Sequence, residues 1–137
     1  MSELEQLAYR SRALLPMDGL LNIAEILASC QRNNWRDGIT GALAYSDGLF
    51  FQVVEGQPDA VARLMRRVSM DPRHDGVEVV LRRPLQDRMF GDWSMAMPRI
   101  SPVTAPLMRR AVEASAVDPD LAVTTLLDLT AIDALHS

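Results

Sequence analysis

The sequence predicts an α+β protein of the ferredoxin-like kind: a β-α-β-β-α-β-β sheet with two helices on one face, followed by two further helices. Three observations predict it. Residues 39–56, ITGALAYSDGLFFQVVEG, place apolar runs on either side of Ser46-Asp47-Gly48, which is turn chemistry, so the stretch reads as a hairpin. Two segments with apolar residues at helical spacing flank that hairpin, and strand-like segments lie outside them. Finally, 137 residues, of which 48% are apolar and 23% charged, suffice for one domain with a real core.

In chain order, residues 4–11 read as a first strand, with Leu7 and Tyr9 on one face. Residues 16–34 read as a helix with Asp18 as a plausible N-cap; Leu20, Ile23, Leu27 and Cys30 follow its spacing, and Asn33-Asn34 suits its C-terminus. The hairpin strands follow, residues 39–46 and 49–54. Phe50, Gln52 and Val54 share one face, and Leu49, Phe51 and Val53 the other. Both faces are apolar, so both should be covered, and Gln52 is then a primary amide in a buried strand. Gly56-Gln57-Pro58-Asp59 opens a second helix, whose Val61, Leu64, Met65 and Val68 form one stripe. Asp71-Pro72 stops it. Residues 77–82 read as a fourth strand with Val77, Val79 and Leu81 on one face, and residues 88–98 as a loop running into a fifth. Residues 104–116 and 119–135 read as helices, the second started by Asp118-Pro119. In the last, Val123, Leu127, Ala131, Ala134 and Leu135 form one stripe, yet Leu126 and Leu129 fall outside it. Such a helix is too apolar for solvent on all other sides, so the tail should cover the second sheet face, join a partner chain, or both.

The totals exclude several classes. Net charge is −4 and all 14 basic residues are arginine, a poor balance for direct nucleic-acid binding. One cysteine, Cys30, forbids an internal disulfide and suits a reducing compartment. No apolar run spans a membrane, and MSELEQ lacks the form of a signal peptide, so a cytoplasmic location is expected. His74 and His136 are no evident metal pair, and no metal site is expected.

Several residues admit two readings. Gln52 is a satisfied structural amide or a hydrogen-bonding group in a site. Asn33-Asn34 is a helix end or an amide pair for the edge of a heterocycle. Arg63, Arg66 and Arg67, largely off the apolar stripe, are a solvated face or a phosphate contact. Trp93 and Met95 share a face and are core packing in the first instance.

Five segments in register bear on these alternatives: LAYRS at 7–11, NNWRDGITG at 33–41, GLFFQVVEG at 48–56, DPRH at 71–74 and RMFGDWSM at 88–95. In order and spacing they resemble the BLUF domains, flavin-binding sensors of blue light, over about residues 3–98. The resemblance implies a flavin, FAD or FMN, between the two helices and over the sheet. Tyr9 matches the family's electron- and proton-donating tyrosine, and Gln52 the glutamine between that tyrosine and the flavin. Asn33 and Asn34 match amides on the ring's pyrimidine edge, Arg73 and His74 residues along the same side, and Ile26 and Phe50 side chains packed on the ring. Trp93 and Met95 match two residues that exchange places near the glutamine. The implied mechanism turns over no substrate, so no enzyme is expected: Tyr9 gives an electron and then a proton through Gln52 to the excited flavin, and the return leaves Gln52 in a changed orientation or tautomer. Trp35 is unusual for the family. Strand parity agrees with the assignment, since Phe50 and Gln52 share a face.

Two rivals remain at this stage: a light-insensitive flavin- or ligand-binding module, and an acylphosphatase-like hydrolase using Arg10 or Arg12 with Asn34. No glycine-rich phosphate loop supports the second. Residues 1–99 are expected to form the flavin-binding domain and 100–137 a helical extension, too short for a catalytic output module. A homodimer or higher oligomer, or a separate protein partner, is therefore expected.

Overall fold

The computed structural model describes residues 3–14 and 20–135, and the side chains of all of these except 20–27. Asp18, Ile26 as a side chain and His136 thus lie outside what is described. Eight elements follow in order: β1 Leu4–Ala13, α1 Leu20–Asp37, β2 Thr40–Ser46, β3 Leu49–Gly56, α2 Pro58–Met70, β4 His74–Leu85, α3 Ala105–Glu113 and α4 Pro119–Leu135. The sheet order is β2-β3-β1-β4, and every pairing is antiparallel. This is the ferredoxin-like arrangement expected.

The hairpin turn is sharp because Asp47 and Gly48 both take positive φ, 52° and 81°, which matches strand twist as a type I′ turn does. Strand parity then builds two cores. Leu7, Tyr9, Leu43, Phe50, Val54, Val61, Leu64 and Met95 pack together on the α2 face. Ala8, Ala42, Phe51, Val53 and Phe90 pack on the opposite face with Met108, Val112, Val123, Leu126 and Leu129 of α3 and α4. The tail helices therefore close the second face of the sheet.

Four expectations need correction. Helix α1 runs to Asp37, so Asn33 and Asn34 lie inside its last turns; Gly38, at φ 70°, is the left-handed residue that ends it. In β4, register shifts between Ala8 and Tyr9 on the partner strand reverse the alternation. Leu81 therefore packs on the tail side, Val77 on the α2 side, and Val79 is 47% exposed. In α4 the buried residues are Ala122, Val123, Leu126, Leu129 and Thr130, whereas Leu135 is 83% exposed. A helix apolar nearly all round gives periodicity nothing to choose by. The fifth strand, finally, is a single parallel bridge, Ala42 with Ala96.

That bridge is held by main-chain bonds: Leu43 N–H to Ala96 O at 2.8 Å, Ala96 N–H to Gly41 O at 3.0 Å and Gly41 N–H to Trp93 O at 3.0 Å. Gly41 is required there, because a Cβ would stand 1.9 Å from the Val53 carbonyl oxygen. Pro98, which has no N–H, prevents the ladder from extending.

Candidate functional site

The α2 side of the sheet carries two adjoining clefts. One, of about 420 Å³, is lined by Tyr9, Cys30, Leu43, Phe50, Gln52, Val68, Asp71, Arg73 and His74. The other, of about 560 Å³, shares Cys30, Gln52, Val68, Asp71 and Arg73 and adds Ser29, Asn33, Asn34, Leu64 and Arg67.

Tyr9 and Gln52 face each other across β1 and β3 because they are register partners. The Tyr9 hydroxyl donates to Gln52 Oε1 at 2.5 Å, and the same amide's Nε2 donates to Met95 Sδ at 3.4 Å. All three side chains are buried. Burial pushes the Tyr9 phenol far above its ordinary value of 10.0, and the nearby Cys30 and Asp71 add to the shift. The phenol therefore keeps its proton and remains a donor at ordinary pH.

This shift has a consequence for stability. A group whose folded-state pKa is raised contributes fully below its unfolded value and loses that contribution as pH rises. The unfolded phenol ionises from about pH 10, whereas folded Tyr9 does not. Stability should therefore be insensitive to Tyr9 up to about pH 10 and fall by about 1.4 kcal/mol per further pH unit. Urea midpoints at pH 9, 10 and 11 check this, with Tyr9→Phe as the control that removes the Tyr9 share of the slope and leaves that of the Cys30 thiol, which burial also pushes up.

His74, at the start of β4, is fixed from both ring nitrogens. Its Nε2 lies 2.6 Å from the Val68 carbonyl, which can only accept, so Nε2 carries the proton. Nδ1 then accepts from Ser11 Oγ at 2.7 Å. The ring stands edge-on to both Tyr9 and Phe50, with centroids 6.2 Å from each. Arg73 grips Asp71 through Nε at 2.9 Å and through a backbone N–H at 2.9 Å. Hydrogen bonding from Arg73 holds the Asp71 carboxyl below the ordinary carboxylate value, against the opposing effect of burial.

Asn34 is 1% exposed, and its Nδ2 is the one buried side-chain polar atom without a hydrogen-bond partner among the described residues. Native proteins rarely leave such a donor unpaired. A donor of this kind in a cleft wall calls for an acceptor from a ligand, and a flavin's pyrimidine edge carries carbonyl acceptors. The residues present thus fit a flavin.

The structure brings Tyr9, Phe50, Gln52, Arg73 and His74 to one cleft, and Asn33 and Asn34 to the other. It places Met95, not Trp93, beside Gln52. Trp93 packs edge-on to Phe90, with centroids 6.5 Å apart, on the tail side of the sheet. Sequence reasoning missed Cys30, Asp71 and Arg67 as cleft walls. Periodicity alone does not single out Arg67 from Arg63 and Arg66, and Asp71 enters the sequence reading as a helix stop and as the start of the DPRH segment, without a role of its own. Arg10 and Arg12 do not approach Asn34: Arg10 donates to the Val112 and Glu113 carbonyls at 3.0 Å each, capping α3, and Arg12 pairs with Asp75. The hydrolase constellation is therefore not assembled.

Fold and site together define a heterocycle-binding sensor domain on a ferredoxin-like sheet, with a buried tyrosine–glutamine pair in the cleft wall. Comparison with known proteins agrees. Residues 4–96 match the BLUF family, sensors of blue light using FAD. The chain belongs to this family of blue-light photoreceptors, and FAD is the family's cofactor. It is 40% identical over 93 residues to photoactivated adenylate cyclase subunit beta of Euglena gracilis, covering 67% of this chain and 11% of that protein. The chain thus spans about a tenth of the length of the curated relatives it matches. Among solved structures, the dark state of the BLUF protein BlrB superposes with TM-score 0.79 at 33% identity, over 96% of this chain and 98% of that one. A BlrP1 structure from Klebsiella pneumoniae, with FMN and cyclic diGMP, gives TM-score 0.68 at 25% identity, over 85% of this chain and 35% of that one.

Proposed function

We propose that light is read here by the Tyr9–Gln52–Met95 chain and passed to a protein partner. The observation that carries this reading is the 2.5 Å bond from Tyr9 to Gln52, set in the wall of a cleft that also holds the orphaned Asn34 amide. A bound flavin supplies a blue-light-driven oxidant. Tyr9 is placed to give up its electron and proton, because its hydroxyl already donates into the cleft wall and burial keeps it protonated. Gln52 can hold two arrangements. In the present one its oxygen meets Tyr9 and its NH₂ meets Met95. Rotating the amide presents NH₂ to the tyrosine and oxygen to the sulfur, which has no proton to give. Met95 then loses its donor, and the strand-like segment carrying it feels the change. That segment is tied to α1 by Gln31 Nε2 to Met95 O at 3.2 Å and to β2 by the Ala96 bridge. A small local switch can thus bias a larger element.

Residues 1–99 are assigned to the flavin-binding unit and residues 100–137 to a helical extension that carries the signal outward. The relatives named above include light-regulated cyclase subunits, which supports a sensor that acts on an effector rather than an enzyme in its own right. Cytoplasmic residence fits this role; no helix among the described residues is long and apolar enough to cross a membrane. The test is an absorption spectrum in darkness and again after blue light. A flavin band that shifts slightly to the red and reverts in darkness supports the reading, and one that does not move sinks it.

Asn34 provides a separate check on the cofactor. Asn34→Leu removes a donor that has no partner within the protein, so the stability of the flavin-free protein should hold. Flavin affinity should fall by about tenfold, the value of one good hydrogen bond. Titration by quenching of flavin fluorescence measures this; unchanged affinity would remove Asn34 from the site.

A further inference from the structure

Helix α4 buries one face on the sheet and exposes an opposite face that is also apolar. Leu121 is 46% exposed, Ile132 53% and Leu135 83%. Between them stand Thr125 and Asp128. The spacing of 121, 125, 128, 132 and 135 is four, three, four, three, the spacing of a two-stranded coiled-coil seam, with apolar residues at three of the five positions. The Thr125 hydroxyl donates back to the Leu121 carbonyl at 2.7 Å, so that residue leaves its methyl group for the seam.

Charge decides the occupant. Of the acidic residues of α4, Asp120 pairs with Arg83 and Asp133 with Arg99. No cation pairs with Asp128 among the described residues. Asp128 is also the midpoint of the stripe. A parallel symmetric pair of α4 helices sets Asp128 against its own copy, and so does the antiparallel pair that buries the whole stripe. Like charges in a seam are repulsive, so the face selects against a second copy of this chain. A helix of opposite charge satisfies it.

We propose that the outer face of α4 docks an amphipathic helix of another protein, apolar at heptad spacing and carrying a lysine or arginine opposite Asp128. The seam covers about two heptads, less than a standard interface supplies, so the contact is readily reversible. That suits an output surface. Leu126 and Leu129, on the inner face of the same helix, share a core with Phe90, which lies in the 88–96 segment downstream of Gln52.

The test uses the full-length protein and two synthetic helical peptides. Both have leucine at the seam positions; one carries lysine and the other glutamate opposite Asp128. Fluorescence anisotropy should show about tenfold tighter binding of the lysine peptide. Asp128→Lys should reverse that order. Asp128→Leu removes the repulsion, and in sedimentation velocity its mass should double relative to wild type, whereas that of Asp128→Lys should not. Asp128 is exposed, so these variants fold. Equal affinity for the two peptides, or an Asp128→Leu protein that keeps the wild-type mass, would overturn the proposal. Neither measurement depends on light or flavin, so failure here leaves the photoreceptor reading untouched.

Discussion

Gln52→Leu is expected to abolish the light-induced red shift while flavin stays bound. The cleft keeps its other walls in this variant, since Phe50, Asn34, Arg73 and Asp71 do not depend on the amide for position. Leucine fits an apolar strand, so the fold survives. The Tyr9 hydroxyl, however, loses its acceptor and Met95 loses its donor. An unpaired buried hydroxyl costs about 1–3 kcal/mol. The double variant Tyr9→Phe/Gln52→Leu should recover most of that cost, because removing both partners of a buried hydrogen bond is nearly neutral. Urea midpoints give the stability part of the prediction, and difference absorption spectra the optical part. A Gln52→Leu protein that still shifts fully would place the switch elsewhere in the cleft.

Only the Phe50–Gln52 pairing was legible from local geometry; Tyr9 and Met95 were drawn to Gln52 by the family resemblance, which left Trp93 and Met95 undecided. Strand alternation put Phe50 and Gln52 on one face, and the Asp47-Gly48 turn fixed the register of the hairpin that carries them. The stripe of α2 was likewise readable from its spacing. What was not legible depends on partners distant in the chain. The bulge that turns Leu81 to the tail side exists only in the pairing of β4 with β1. The inner face of α4 is chosen by the sheet it meets. The end of helix α1 is the exception, a local signal passed over: Gly38 takes the left-handed conformation just after Asp37, and the Ile39 N–H donates to Asn34 O at 2.8 Å. Asp71 and Arg67 joined the cleft only when α2 was laid over the sheet.

The same locality hid Glu55, whose loss should be the most destabilising single change of those considered. Three residues after Gln52, it points to the opposite face and is wholly buried. Its carboxyl accepts the backbone N–H of Phe90 at 2.8 Å, that of Met89 at 3.0 Å and the Gln6 amide at 2.9 Å. Gln6 is in turn held by Arg83 at 2.9 Å, and Arg88 donates to the Glu55 main-chain carbonyl at 3.0 Å. One side chain thus anchors the near end of the segment whose far end carries Met95. Glu55→Ala strands the buried Phe90 N–H at about 1–3 kcal/mol and weakens the part-buried Met89 N–H and the Gln6 amide, which keeps Met89 Sδ at 3.2 Å, so a loss of roughly 3–5 kcal/mol is expected, a large share of the 5–15 kcal/mol that a typical domain possesses. Glu55→Gln keeps one acceptor and turns an NH₂ toward a backbone N–H, so it should lie between Glu55→Ala and wild type. Thermal melts measure the order, and amide exchange at residues 89 and 90 should rise in both variants. The optical shift of the folded fraction should persist, because the Tyr9–Gln52 pair lies across the sheet from this network. Gln52→Leu and Glu55→Ala therefore separate the two tasks of β3. In the reading proposed above, one face generates the change and the other anchors the 88–96 segment through Glu55. A Glu55→Ala protein as stable as wild type would show that the segment is anchored by its apolar contacts alone.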